Sequence, residues 1–362
     1  MIKVGIIGAT GMVGQRYITL LKNHPWFRVT AVAASTASAG MTYGQAVQGR
    51  WHMTEAVPEE VAKLKVINAI EIDKMAKLCD FVFSAVEMPD KKQVQQLEES
   101  YATAGLPVVS NASAHRSTED VPLLLPEINA NHTKIIDAQR KNLGLKKGFI
   151  AVKPNCSVQS FLTPIYALRA AGYQLDRLSV VTMQAVSGAG YPGVPSLDMV
   201  DNLVPYIGGE EEKTENEPLK ILGELQKDKI VLANNIKITA ACNRVPVSDG
   251  HTACVSMSFK GKKPTKEEIL SIWKKFSGQP QKLKLPMAPK QAIIYIDDDN
   301  RPQPKKDRGN EHGMAVTVGR LRECPVFDYK FVGLSHNTIR GAAGGGILNA
   351  ELLAKQGYIK KK

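Results

Sequence analysis

The chain enters through Ile2–Ile7, a short run dominated by isoleucine and valine, and passes directly into Gly8-Ala9-Thr10-Gly11-Met12-Val13-Gly14. A helix-periodic segment, residues 12–23, follows. A buried strand, a glycine-spaced turn and a helix in that order leave few fold classes open. The glycines allow a tight turn and let backbone N–H groups approach a pyrophosphate at the helix start. The spacing is G-x-x-G-x-x-G rather than G-x-G-x-x-G, so its position after a buried strand carries the reading. Gly8, Thr10, Gly11, Met12 and Val13 are the expected cofactor contacts in this loop.

The same alternation continues for about 150 residues. Apolar runs at 29–33, 81–86 and 107–110 read as buried parallel strands, with a helix over 91–104 between the last two. This Rossmann-type half ends near Pro154. Beyond it the pattern changes to longer alternating strands at 178–185, 236–240, 253–259, 315–321 and 329–334. Helices are predicted at 196–204 and 265–276. Strands with few crossover helices indicate an α+β domain with a mixed or antiparallel sheet, one face of which needs cover from helices or a partner subunit. The last apolar helix, 341–354, is expected to pack back on the first half. The predicted division is 1–154 with 340–362 as an α/β cofactor domain, and 155–339 as a catalytic and dimerisation domain.

Composition narrows the function classes. No apolar run approaches the ~18 residues that span a bilayer, and Met1-Ile2-Lys3-Val4 shows no signal-peptide pattern, so a cytoplasmic protein is expected. The net charge is +12, from 47 Lys+Arg and 35 Asp+Glu. The basic residues are dispersed, densest in the Lys360-Lys361-Lys362 tail and the polar stretch 301–308, part of a charged loop over 297–308. That distribution fits attraction of phosphorylated small molecules and gives no nucleic-acid stripe. Five cysteines (79, 156, 242, 254 and 324), an odd number with no C-x-x-C pair, argue against a disulfide framework or a structural metal.

The end of the second strand selects the cofactor. An acidic residue there would bind a ribose 2′-hydroxyl, but the sequence is Ala34-Ser35-Thr36-Ala37-Ser38. Hydroxyls at Ser35 and Ser38 accept a 2′-phosphate that a carboxylate would repel, so NADP is favoured over NAD.

Among the thiols, Cys156 stands apart. It lies in Lys153-Pro154-Asn155-Cys156-Ser157, after an apolar strand and before an apolar segment. Pro and Asn are helix-start residues, which puts Cys156 at or beside an N-cap, where the helix's positive end lowers a thiol pKa. Cys79, Cys254 and Cys324 read as packing residues. A histidine, His251, closes Arg244-Val245-Pro246-Val247-Ser248-Asp249-Gly250 at the start of a strand. A thiol, an acid–base group and a hydride carrier together point to interconversion of an aldehyde and an activated acyl group.

GATGMVG, FSAVEMPD, SNASAHR, KPNCS, MQAVSGAGYPG, GGEEEK, RVPVSDGH and NTIRGAAGG run through almost the whole chain. Together they resemble aspartate-β-semialdehyde dehydrogenases of the fungal and archaeal branch. Lys153 and Val158-Gln159 depart from that family's usual residues around the nucleophile. The resemblance implies reversible, NADPH-dependent reductive dephosphorylation of L-4-aspartyl phosphate to L-aspartate 4-semialdehyde. That reaction leads towards lysine and diaminopimelate, methionine, threonine and isoleucine. It implies Cys156 as nucleophile, His251 as proton shuttle and Gln184 orienting the acyl group. Arg244 would bind the substrate carboxylate and Glu210 its ammonium, with the neighbouring Glu211 and Glu212 as alternatives. Lys213, Arg116 and Asn111 would hold phosphate. Ser84, Ser187, Gly188 and Asn337 complete the implied cofactor contacts, and the family is dimeric or tetrameric.

Three other functions share parts of this pattern. An N-acetyl-γ-glutamyl-phosphate reductase would use the same thiol and histidine, but its blocked amine would leave Glu210 with no ammonium to bind. An acyl-CoA reductase could run on the same machinery. A non-catalytic NADPH sensor would have no need of a nucleophile.

Overall fold

A computed structural model describes residues 1–362. Its first sheet contains β1 (Ile2–Ile7), β2 (Phe27–Ala34), β3 (Val66–Asn68), β4 (Phe81–Ser84), β5 (Pro107–Ser110) and β6 (Phe149–Val152). All are parallel, in the order 3-2-1-4-5-6. The last three strands are buried at every residue, which is why they read as unbroken apolar runs. Strand order reverses between β1 and β4, so the carboxyl ends open a crevice there. Gly8 turns into that crevice with φ +77°, and a Cβ on it would lie 2.5 Å from the Ala85 carbonyl oxygen. A Cβ on Gly14 would lie 2.3 Å from the Gly8 oxygen, so only glycine lets the Met12–Leu21 helix close on β1.

The second half contains β7 (Leu175–Ala185), a small hairpin of β8 (Glu224–Gln226) and β9 (Lys229–Val231), then β10 (Lys237–Val245), β11 (His251–Phe259), β12 (Ile293–Ile296), β13 (Val316–Glu323) and β14 (Tyr329–Ser335). The main sheet runs β10-β7-β11-β14-β13-β12. Its two outer pairings are parallel and the three between them antiparallel, the mixed sheet expected from sequence. One face buries Val180, Val255 and Phe331 beneath helices Leu162–Ala170 and Lys266–Lys275, where Trp273 Nε1 donates to the Pro164 oxygen at 2.9 Å. The opposite face carries Ala241, Val181, Cys254 and Val332 in one cross-strand row, uncovered along most of its length.

Four expectations change. Residues 196–204 form only the single 3-10 turn Ser196–Asp198: Met199 is buried, but Leu197, Val200 and Leu203 stay exposed, too little burial to hold a helix. The 297–308 stretch is pinned: buried Asp307 pairs with Arg301, and Arg308 donates to Ser248 Oγ at 3.0 Å and the Asp249 oxygen at 2.9 Å, bracing the turn before His251. Cys254 is exposed and Cys324 partly so, unlike the buried Cys79.

The final helix, Gly344–Lys355, inserts Ile347, Ala350 and Leu353 into the core of the first sheet beside Tyr17 and Phe83. Its approach depends on Gly346, where a Cβ would come within 1.9 Å of Tyr17 Oη. Gly346→Ala should therefore destabilise the fold by about 1–3 kcal/mol in denaturant titrations, despite alanine's better helix propensity. Adding Tyr17→Phe should recover part of the loss.

Candidate active site

The two sheets meet where their strand ends face each other. Lys153 follows β6, and the chain turns through Pro154 and Asn155 to Cys156. In the mixed sheet, Arg244 on β10 is registered opposite Gln184 on β7, and His251 opens β11 opposite Ser335 of β14. Three strands thus deliver polar side chains to one edge, against the Cys156 loop.

Cys156 Sγ lies 3.2 Å from His251 Nε2. His251 Nδ1 accepts the Ala185 backbone N–H at 3.1 Å, so the neutral ring carries its proton on Nε2, aimed at the sulfur. Burial and the nearby Arg244 guanidinium hold the imidazole pKa down to about 3, which keeps the ring neutral. The thiol does not follow the sequence expectation. A 3-10 turn, Val158–Ser160, comes next and the α-helix begins only at Leu162, so no helix terminus acts directly on Cys156. Burial and the Glu210 carboxylate push its pKa up, while Lys153, Arg116 and Arg244 oppose them. Gly341 presses over Cys156, since a Cβ there would sit 2.8 Å from Cys156 Cβ.

Of the three adjacent glutamates, Glu210 is the one that turns into this site. Its carboxylate accepts from Asn155 Nδ2 at 2.9 Å, Gln184 Nε2 at 3.2 Å and Lys213 Nζ at 2.9 Å. Glu211 instead accepts the Cys242 backbone N–H, and Glu212 is exposed. Gln184 is buried behind Glu210, donating also to Thr182. Arg244 is buried beside His251 with Nη1 on the Ala185 carbonyl at 2.8 Å.

A cavity of about 430 Å³ connects these groups to the glycine loop. Its lining includes Cys156, Glu210, Lys213, Arg116 and Asn111 together with Met12, Val13, Ser187, Gly188 and Asn337. Gln184, Arg244 and His251 lie just behind its wall, and a Cβ on Gly188 would meet Arg244 Nη1 at 2.9 Å and His251 Nε2 at 3.2 Å. Arg116 Nε is buried without a partner, a donor left free for an anion, whereas the unpartnered Asn111 Oδ1 is an acceptor and calls for a donor. Ser187 accepts from Asn337, whose Oδ1 receives the Gly250 N–H. Ser84 is buried at the end of β4, with its hydroxyl unpartnered.

The residues fit a dinucleotide. The Met12–Leu21 helix has no side-chain cap, which leaves its first N–H groups facing the crevice. Ser35 is exposed and Ser38 buried, both away from the cavity. Sequence reading found no basic clamp there, but Arg50 Nη2 donates to Ser38 Oγ at 2.6 Å. Twelve residues separate the two, and no local pattern signals the contact.

A second unanticipated group is Glu217. It accepts from Arg116 Nη1 at 2.9 Å and from the Asn155 backbone N–H at 2.5 Å. Its position was legible, because Glu210 and Glu217 are two helical turns apart and share a face.

Two family models match the chain: semialdehyde dehydrogenase, NAD binding domain, over residues 3–136, and semialdehyde dehydrogenase, dimerisation domain, over residues 164–340. The aspartate-semialdehyde dehydrogenase of Schizosaccharomyces pombe is 46% identical, with 99% of each chain covered. That of Archaeoglobus fulgidus is 44% identical over 98% of this chain and 99% of the relative. The crystal structure of aspartate semialdehyde dehydrogenase with NADP from Candida albicans superposes with a TM-score of 0.89 at 40% identity, covering 99% of this chain and all of that one.

Proposed function

The chain belongs to the aspartate-semialdehyde dehydrogenase family, and from that premise we propose how its own residues carry the reaction. It is an NADP-dependent oxidoreductase that converts L-4-aspartyl phosphate to L-aspartate 4-semialdehyde and back, in the biosynthesis of the aspartate-derived amino acids. The contact that carries the mechanistic reading is the 3.2 Å approach of Cys156 Sγ to His251 Nε2 at the wall of a charge-matched cavity.

Cys156 attacks the acyl carbon, and its thiol proton leaves on the departing phosphate. The S–C bond forms as the C–O bond to phosphate breaks, and phosphate leaves with that electron pair to give a thioester on Cys156. Bound along the glycine loop and Gly188, NADPH supplies the hydride that reduces the thioester. The resulting thiohemiacetal collapses, returning the sulfur as thiolate. His251 works from its neutral form, with Nε2–H stabilising negative charge on sulfur before attack and again at release. A shuttle through imidazolium requires the Ala185 bond to break.

The substrate's three charges match three groups of residues. Arg244 offers a planar fork to the α-carboxylate. Glu210 receives the ammonium, exchanging it for part of its bonding to Lys213. That exchange frees Lys213 to join Arg116 and Asn111 at the phosphate. Gln184 orients the acyl group through Glu210. At the far end, Ser35, Ser38 and Arg50 receive the 2′-phosphate.

Residues 1–154 with 340–362 form the cofactor domain in this reading, and 155–339 the catalytic and dimerisation domain. The uncovered row Ala241, Val181, Cys254 and Val332 supports a homodimer, or a homotetramer built from it. Five unpaired cysteines fit a reducing cytoplasm. Sedimentation equilibrium at micromolar concentration should return at least twice the monomer mass; a monomer would overturn the assembly.

Purified protein given aspartate semialdehyde, phosphate and NADP should form NADPH, measured at 340 nm, and should not do so with N-acetylglutamate semialdehyde. Cys156→Ser should lose ~10³-fold or more in kcat while still binding NADPH. Full turnover in that variant would refute the thioester route.

Arg50→Ala should raise KM for NADPH by about tenfold, roughly one lost charge-assisted bond, and leave KM for NADH unchanged.

A further inference from the structure

Arg16 has no role in the mechanism above, yet its side chain lines the cavity. It stands on the Met12–Leu21 helix one turn after Met12, which lines the same cavity. Helical side chains lean toward the N-terminus and residues four apart share a face, so the guanidinium lies over the first turn of its own helix. None of the protein's ion pairs includes it. Its Nε is buried and has no hydrogen-bond partner. The helix packs here against Ile339–Ala343, next to His336 in the chain. Burial, with Arg16 and Arg308 adding to it against Asp249, takes the His336 pKa down to about 4, so that ring is neutral and competes for no anion.

A half-buried arginine commonly lays its stem on apolar surface and turns its head to water, with no partner required. Arg16 differs because Nε is closed to solvent, and a buried donor carries a desolvation cost that an acceptor would remove. Two other cations of the cavity, Arg116 and Lys213, are already paired with glutamates, whereas Arg16 is free on the side of the glycine loop. The helix start beneath it supplies only about half a unit of positive charge, and neither a capping side chain nor an acidic residue occupies its first turn. Each phosphate of a dinucleotide carries a full negative charge. A guanidinium beside that terminus supplies what the helix lacks, in a fork that matches phosphate oxygens.

We propose that Arg16 is a cofactor-binding residue whose guanidinium reaches back over the first turn of its helix to pair with the pyrophosphate of NADP. The inference rests on the cofactor lying along the glycine loop, and its test measures binding without turnover.

Calorimetry on the intact, cofactor-free protein compares NADP with two fragments. One is 2′-phospho-ADP-ribose, which keeps the pyrophosphate and lacks nicotinamide; the other is 2′-AMP, which has the 2′-phosphate and no pyrophosphate. Arg16→Met should weaken NADP and 2′-phospho-ADP-ribose by about tenfold and leave 2′-AMP unchanged, and Arg16→Lys should recover part of the loss. Wild-type affinity of folded Arg16→Met for 2′-phospho-ADP-ribose overturns the proposal, and so does an equal loss for 2′-AMP. A wild-type protein that binds none of these ligands would overturn the cofactor placement and this inference with it. If Arg16→Met does not fold, phenylglyoxal modification of Arg16 in the wild type is followed by peptide mass spectrometry. There 2′-phospho-ADP-ribose should protect Arg16 and 2′-AMP should not; equal modification with and without 2′-phospho-ADP-ribose overturns the proposal.

Discussion

The Glu217 carboxylate holds the two halves of the active site in register. One oxygen binds Arg116, in the loop after β5, and the other binds the backbone N–H of Asn155, in the turn after β6. Glu217 itself is on the Glu210–Ile221 helix, which packs against β10 of the other sheet. A single buried acid thus ties two loops of the parallel sheet to the mixed sheet. Removing one partner of such a pair leaves an uncompensated buried charge, at a cost of about 3–5 kcal/mol. Glu210, two turns earlier, repeats the device by fixing the Asn155 side chain. Between them the two glutamates position both sides of the residue that precedes Cys156.

The same acids set the chemistry. A carboxylate beside the nucleophile opposes thiolate formation, and burial adds to it, so the free pocket holds Cys156 above the ordinary thiol range. Four cations surround this acidic pair: Lys213, Arg116, Arg244 and Lys153. Two of them, Lys213 and Arg116, are already paired with the glutamates. An incoming ammonium would neutralise Glu210 and remove the largest charge opposing ionisation. On the proposed roles, substrate binding and activation of Cys156 would be coupled through one carboxylate. His251 contributes a fixed dipole, its tautomer set by the Ala185 amide.

Much of the fold was legible because its cues are local. The β1–glycine loop–helix unit, β5, the 265–276 helix with its Thr265 capping box and the final helix all appear close to where their patterns put them. β3 and β12 were missed because three or four residues carry too little periodicity. Residues 196–204 looked helical by pattern, but with Leu197, Val200 and Leu203 exposed the segment buries too little to hold a helix. Cys254 looked like packing because alternation along β11 does not say which face the molecule covers.

By itself, the sequence determined the division into two halves, the glycine loop, the absence of an acid after β2 and the pairing of Cys156 with His251 as chemistry. These are matters of residue type and short spacing. Tertiary structure alone decided which glutamate enters the site, that Arg50 reaches Ser38, that Glu217 locks the nucleophile loop, and that the thiol pKa rises where a helix start would have lowered it. Each of these depends on burial and on charges brought together from distant positions. Desolvation and Coulomb energies are set by distance in space, which spacing along the chain does not encode.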